Sequence, residues 1–195
     1  MHQNANVCPT HNPLGLFKGN VGHTNGRYGL RIFHEHTPLT NPCQPLSSTN
    51  PTLQAVYEDF VSYKNGRNGV ISEKTGNVVF RNIKTADNIL AGMEVSVVTN
   101  TDNNTCKFEN FMVVGFSQGN SDDPLLDQAS PHGIITPRTE KFSAFNGRFY
   151  NYNKNSASGI GTCSHCFHPA ATDSGARTAI FSGLSFTNVD RRIWY

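Results

Sequence analysis

The feature that most narrows what this chain can fold into is a short phrase that returns along it: an aromatic residue, any residue, then asparagine. It occurs as Tyr63-Lys64-Asn65, Phe80-Arg81-Asn82, Phe108-Glu109-Asn110, Phe149-Tyr150-Asn151 and Phe186-Thr187-Asn188, with a looser Phe17-Lys18-Gly19-Asn20 ahead of them. Successive spacings of 17, 28, 41 and 37 residues are too uneven for ankyrin-like repeats. They fit a solenoid whose turns carry insertions of different length. Between the phrases lie short segments of Val, Ile, Phe and Met with glycine at their ends, at 28–33, 69–72, 77–83, 92–98, 107–116, 133–136, 142–152 and 179–188, and these read as strands. Within 77–83, alternation places Val78, Phe80 and Asn82 on one side and Val79, Arg81 and Ile83 on the other. Only 53–63 approaches a helical pattern, so no helix longer than two turns is expected elsewhere.

Composition supports the same direction. Among 195 residues are 22 Asn and 17 Gly, residues that tolerate left-handed backbone at tight corners and disfavour helix. The fold class read from this is all-β, a single parallel β-helix over 1–195, with a Pro/Ser/Thr-rich loop insertion at 37–56. Each turn of such a coil buries its apolar face against the next, about 4.8 Å away. Val78, Phe80, Ile83, Val95, Val97, Phe108, Phe111 and Val113 are expected inside. The asparagines of the phrase, Asn65, Asn82, Asn110, Asn151 and Asn188, are expected inward or at corners, with amides bonded rung to rung in a ladder. The competing arrangement is an antiparallel sandwich turning at Asn25-Gly26, Asn65-Gly66, Asn68-Gly69 and Asn146-Gly147.

A net charge of +2, with 15% charged residues and no Lys/Arg block, gives no footprint for nucleic acid. No apolar run reaches the roughly 20 residues that span a bilayer, since Glu94 and Ser96 interrupt 89–98. Residues 1–4 show no signal-peptide pattern. The final Arg191-Arg192-Ile193-Trp194-Tyr195 reads as a strand cut in mid-course, so the expectation is a fragment with uncapped ends whose targeting and anchoring signals lie outside it.

The five cysteines are Cys8, Cys43, Cys106, Cys163 and Cys166. Cys8-Pro9 and Pro42-Cys43 suit a disulfide closing a loop, worth roughly 3 to 4 kcal/mol by chain entropy; two separate buried thiols are the alternative. Cys106 is the choice for the unpaired thiol. Cys163-x-x-Cys166, beside His165 and His168, leaves three readings open: a local disulfide, free thiols, or a metal completed by remote residues such as His132 or Cys106. Asn103-Asn104-Thr105 is the acceptable glycosylation sequon, Pro51 spoiling Asn50-Pro51-Thr52. His23, His34 and His36 are close enough to tempt a metal assignment, with surface histidines the commoner case. Asp122, Asp123 and Asp127 could hold calcium, with a solvated acidic loop as the plainer reading, so no metal site and no cofactor is assigned. A glycan-cleaving site would need two carboxylates about 5 to 10 Å apart. Glu94 and Asp87, or Arg138 with Asp122 and Asp123, are the candidates, and no pair is selected, so the expectation is a non-catalytic chain.

Three blocks carry a family resemblance. Residues 17–33, Phe-Lys-Gly-Asn-Val-Gly-His-Thr-Asn-Gly-Arg-Tyr-Gly-Leu-Arg-Ile-Phe, resemble the segment of fibrocystin and fibrocystin-like proteins in which an F-x-N-N-x-A-H-S phrase runs into Y-G-L-R-I-F. Asn68-Gly69-Val70-Ile71 followed by 86–94, and Gly161-Thr162-Cys163-Ser164-His165-Cys166-Phe167-His168-Pro169 followed by 172–178, resemble further stretches in the same order. Gly22 stands where alanine is expected. The resemblance implies a right-handed parallel β-helix from a large, receptor-like, single-pass protein exposed at the cell surface, with cilia or stereocilia coats among its settings. It further implies a structural or adhesive segment, a rigid rod or docking surface. Its partners would be neighbouring β-helix segments, other copies, or extracellular protein or glycan, with membrane contact only through a segment outside this one. The alternative is a saccharide-binding or saccharide-cleaving β-helix enzyme, as in the more distant CEMIP-type hyaluronan-degrading proteins.

Overall fold

The computed structural model describes residues 7–99, 105–117, 131–154, 157–162 and 178–194. Their strands, numbered β1 to β18 in chain order, fall into three parallel six-stranded sheets, and no helix is present among the described residues. Sheet A holds β1 (Phe17–Lys18), β4 (Ala55–Glu58), β7 (Val78–Arg81), β10 (Cys106–Glu109), β13 (Phe142–Phe145) and β16 (Ala179–Ser182). Sheet B holds β2 (Val21–His23), β5 (Val61–Tyr63), β8 (Lys84–Ala86), β11 (Met112–Val114), β14 (Arg148–Tyr152) and β17 (Ser185–Val189). Sheet C holds β3 (Leu30–Ile32), β6 (Asn68–Ser72), β9 (Ala91–Val95), β12 (His132–Thr136), β15 (Ser158–Thr162) and β18 (Arg191–Trp194). Every third strand therefore returns to the same sheet one rung on, which is a parallel β-helix of six turns.

The register explains the uneven repeat. Phe17, Tyr57, Phe80, Phe108, Ala144 and Phe181 are stacked partners in sheet A, so successive turns take 40, 23, 28, 36 and 37 residues. The aromatic-x-Asn phrase marks two different corners. Phe80-Arg81-Asn82 and Phe108-Glu109-Asn110 leave sheet A, whereas Tyr63-Lys64-Asn65, Phe149-Tyr150-Asn151 and Phe186-Thr187-Asn188 leave sheet B. Both corners use left-handed backbone. At the first it falls on Gly19, Asp59, Asn82, Asn110, Asn146 and Gly183, and at the second on Thr24, Lys64, Asp87, Asn151 and Asn188.

These corners correct several expectations. Segments 107–116, 142–152 and 179–188 are each two strands joined at such a corner, and 53–63 holds β4, a corner and β5 in place of a helix. The corner also resets which side chain faces inward. Ile83, placed opposite Phe80 by simple alternation, is fully buried beside it, as are Phe60 and Phe111 at the equivalent step. Of the residues expected inside, all are buried except Val97, which is half-buried beyond the end of β9. The loop between β3 and β4 runs over 33–54, so Ala55 and Val56, assigned to the insertion, open β4. Asn50 organises that loop: its Oδ1 accepts from Asn41 N at 2.7 Å and its Nδ2 donates to the carbonyls of Asn41, Gln44 and Pro45. Cys8 and Cys43 are disulfide-bonded across it, with Cα atoms 5.3 Å apart. Cys106 is a free thiol buried in the core, where desolvation pushes its pKa far above the ordinary range.

The asparagines form three stacks, not one. Asn82 Nδ2 donates to Asp59 Oδ1 at 3.0 Å and Asn146 Nδ2 to Asn110 Oδ1 at 3.2 Å along the sheet A corner. Asn188 Nδ2 donates to Asn151 Oδ1 at 3.0 Å along the sheet B corner. Asn110 and Asn188 are exposed and take the corner placement, not the inward one. The buried ladder belongs to the residue after the sheet B corner. Asn25 donates from its backbone N and its Nδ2 to Asn65 Oδ1, and Asn65 does the same to Asn88 Oδ1, at 2.9–3.2 Å. From the fourth turn the same register position passes to Phe116, Tyr152 and Val189, and the inward residue of sheet B changes from Ser62 and Thr85 to Val113, Phe149 and Phe186. The solenoid thus has a polar inner corner in its early turns and a mainly apolar one, rich in aromatics, in its later turns.

Glycine lets sheets B and C meet. A Cβ on Gly29, Gly69, Gly92 or Gly133 would lie 2.5–2.7 Å from the carbonyl oxygen of the next glycine in that series, which ends at Gly159. Backbone cannot yield there, so no side chain fits. Gly22, where alanine is expected from the resemblance, faces the same series: its Cβ would sit 2.4 Å from Gly29 O.

Candidate functional site

The outer face of sheet C carries a groove of about 360 Å³. It crosses four turns, from Tyr28 in the first to Arg138 in the fourth. Strands β6 and β9 are buried along their whole length, because the core covers one face and the groove walls shelter the other. Ile71, Leu90 and Val97 supply apolar wall, while Arg67 and Arg138 are exposed at its rim. Two polar residues lie at the bottom. Glu94 is 3% exposed and Asn68 0%. Asn68 Nδ2 donates to Glu94 Oε2 at 2.7 Å and Ser96 Oγ to Glu94 Oε1 at 3.2 Å. Among the described residues no cation lies within ion-pair distance of Glu94, and Asn68 Oδ1, fully buried, has no donor. At one end Arg31 donates to Glu73 Oε1 from Nε and Nη2 at 2.9 and 2.6 Å, and its guanidinium lies over the rings of Phe33 and Tyr28 at 4.2 and 5.1 Å.

The candidate carboxylates do not meet. Asp87 sits at the sheet B corner with φ 53° and accepts from Ser117 N at 2.7 Å and from Ser117 Oγ, which holds the chain leaving β11. Glu94 is committed to Asn68 and Ser96. Arg138 lines the groove, whereas Asp122, Asp123 and Asp127 lie outside the described residues, as do Cys163, Cys166, His165, His168 and the sequon asparagine Asn103.

The histidines are dispersed. His23 stacks on Tyr63 outside sheet B, ring centroids 4.7 Å apart. His34 is exposed and His36 buried, because β3 ends at Ile32 and no strand continues to put them on one face. His132, on sheet C, meets Ser158 Oγ at 2.8 Å through Nδ1 and stacks on Trp194, whereas Cys106 is buried in the core on sheet A. Among the described residues no group of three or more His, Cys, Asp or Glu could hold a metal.

His36 fastens the N-terminal segment to the solenoid. Its Nε2 lies 3.2 Å from Asn12 O and its Nδ1 3.0 Å from the Tyr57 hydroxyl, an arrangement that suits the neutral ring, with Nε2–H donating and Nδ1 accepting. Burial lowers the His36 pKa from its ordinary 6.5, against the opposing pull of the Asn12 carbonyl, and burial lowers that of His132 too. Burial also pushes the Tyr57 hydroxyl up to about 12, so it stays a donor. A depressed histidine pKa means that the unfolded chain binds more protons, so this stability is complete above 6.5 and drains away as pH falls below it through the folded value. Thermal unfolding should be level between about pH 7 and 8 and decline through the histidine range, and His36→Gln should flatten the decline. An unchanged slope in that variant would place the linkage elsewhere.

Glu94 and Arg138 stand out in the sequence as candidate site residues, whereas Tyr28, Arg67, Asn68, Asn25 and Asn88 do not. One signal was present: Asn25, Asn65 and Asn88 each follow the left-handed residue, in Thr24-Asn25, Lys64-Asn65 and Asp87-Asn88. Finding it required the register.

Fold and groove together define a parallel β-helix that carries a polar cleft along one sheet. No family model matches the sequence. Mouse fibrocystin-L is 25% identical over 166 residues, covering 82% of this chain and 4% of that protein, and human fibrocystin-L is 25% identical over 168 residues with the same coverage. The chain is therefore related to fibrocystin-like proteins, and it spans about 4% of the length of these curated relatives.

Proposed function

We propose that this chain is a non-catalytic extracellular segment of a fibrocystin-like cell-surface protein, serving as a rigid spacer and docking surface. The observation that carries the reading is the continuity of three six-stranded parallel sheets through all six turns. Each inner rung is hydrogen-bonded to both neighbours, so the coil resists bending and holds its outer faces at fixed spacing. The Cys8–Cys43 disulfide favours an oxidising compartment. Asp87 at the sheet B corner and Glu94 in the sheet C groove do not share a site, which favours a role without glycan cleavage. Phe17, Phe181 and Phe186 in the outer turns are only partly covered, which suits pairing with neighbouring β-helix segments or another copy.

The test is incubation with long glycans, hyaluronan included, with and without calcium, followed by sizing, together with staining of intact cells expressing the parent protein by an antibody to the 33–54 loop. Unshortened glycan and surface staining are expected. Shortening of any polymer, or staining only after permeabilisation, would overturn the reading.

A further inference from the structure

We propose that the groove on sheet C binds an acidic saccharide, whose hydroxyl groups donate to Glu94 and Asn68 and whose acid groups are held by Arg67 and Arg138. The proposal deepens the docking half of the function proposed above and rests on it.

Its first support is the bottom of the groove. A carboxylate offers about four acceptor sites, and Glu94 uses two of them on Asn68 and Ser96. Asn68 Oδ1 has no donor among the described residues. Buried polar groups left in that condition are uncommon and ask for a partner. What they ask for is a donor, and a hydroxyl supplies one while also accepting in return.

The second support is the rim. Arg67 and Arg138 bring two guanidinium groups to the groove, and neither has an ion-pair partner among the described residues. Guanidinium forks match carboxylate and sulfate oxygens. They also disfavour a cationic ligand that would otherwise be drawn to Glu94. A ligand must then carry donors at its centre and acid groups at its edge. Ile71, Leu90 and the half-buried Tyr28 give it apolar surface to lie on, as the C–H face of a sugar ring requires.

The third support is length. Tyr28 and Arg138 are three turns apart, about 14 Å along the coil at the usual rung spacing. That favours a short oligomer lying along the solenoid axis over a single sugar.

The shared chemistry admits uronic-acid carboxylates and sulfate esters, and the experiment separates them. The whole chain is titrated with a galacturonate hexamer, a sulfated glucan hexamer and the uncharged glucan hexamer. Binding of one or both acidic hexamers is expected, with the uncharged one about tenfold weaker or worse. Arg138→Ala, at an exposed position, should weaken the acidic ligand about tenfold. The decisive variant is Glu94→Gln, which removes a negative charge while keeping the shape. If the groove were only a basic patch, affinity for an anion would rise; if Glu94 accepts from the ligand, affinity falls. Circular dichroism checks the fold, and if Glu94→Gln does not fold, Glu94→Asp, which keeps the charge but draws the acceptor back from the groove, replaces it and should also weaken binding, whereas a plain basic patch would be indifferent to it. Unchanged or tighter binding in these variants, equal binding of the uncharged hexamer, or no binding of any hexamer would overturn the proposal. None of those outcomes touches the spacer reading, which fails on glycan shortening or on the staining result.

Discussion

Replacing Phe108 with alanine should lower the unfolding free energy by about 3–5 kcal/mol, measured as a shift in the denaturant midpoint at constant slope. Phe108 is 0% exposed and lies in mid-stack, with ring centroids 5.5 Å from Phe80, 6.0 Å from Phe111 and 5.0 Å from Phe142, all near edge-to-face. Such pairs add about 0.5–1.5 kcal/mol beyond area burial. Its register partner on one side is Ala144, so the substitution would set two alanines on adjacent rungs and leave a void that backbone held in three sheets cannot close. A control at Ile180, 58% exposed on the outside of β16, should change stability by no more than about 0.5 kcal/mol. Equal effects at the two positions would mean that the aromatic stack does not carry the core.

Asn65→Leu should destabilise by about 2–5 kcal/mol although it adds apolar surface, because it orphans buried groups at Ser62 and Asn88 and strips Asn25, on the other neighbouring rung, of its acceptor. Asn65 Oδ1 accepts from Asn25 N and Asn25 Nδ2, and Asn65 Nδ2 donates to Ser62 Oγ and Asn88 Oδ1, both at 2.9 Å. Leucine can satisfy none of these. The comparison is Asn110→Leu, where the side chain is exposed and what is at stake is the left-handed backbone at φ 53° and one exposed hydrogen bond, accepted from Asn146 Nδ2, with a cost of about 1–2 kcal/mol. Asn110→Gly should cost less still, since glycine adopts that backbone freely. If Asn65→Leu proves no more harmful than Asn110→Leu, the buried ladder does not contribute what its hydrogen bonds imply.

The contrast between those two asparagines shows where reading the chain stops. Both follow an aromatic residue by two positions, and one is buried while the other faces water. The aromatic-x-Asn phrase reports that a strand is ending in a left-handed corner, which is local chemistry. It carries no information about which of two corners it ends, or whether the asparagine is the left-handed residue itself, as Asn110 is, or the residue after it, as Asn65 is.

The class of fold, the shortness of the strands, the inward aromatics and the Cys8–Cys43 pairing were legible from residue order alone, because period-two alternation, left-handed tolerance and proline-flanked cysteines act over a few residues. The six-turn register was not, because turns of 23 to 40 residues hide which strand stacks on which. Only the stacked structure brings Asn68 and Glu94, 26 positions apart, to 2.7 Å, and sets Tyr28 and Arg138 along one groove. Ladder hydrogen bonds select the alignment in which each rung buries its apolar face, and the side chains left on the outside then become neighbours regardless of their separation in the chain.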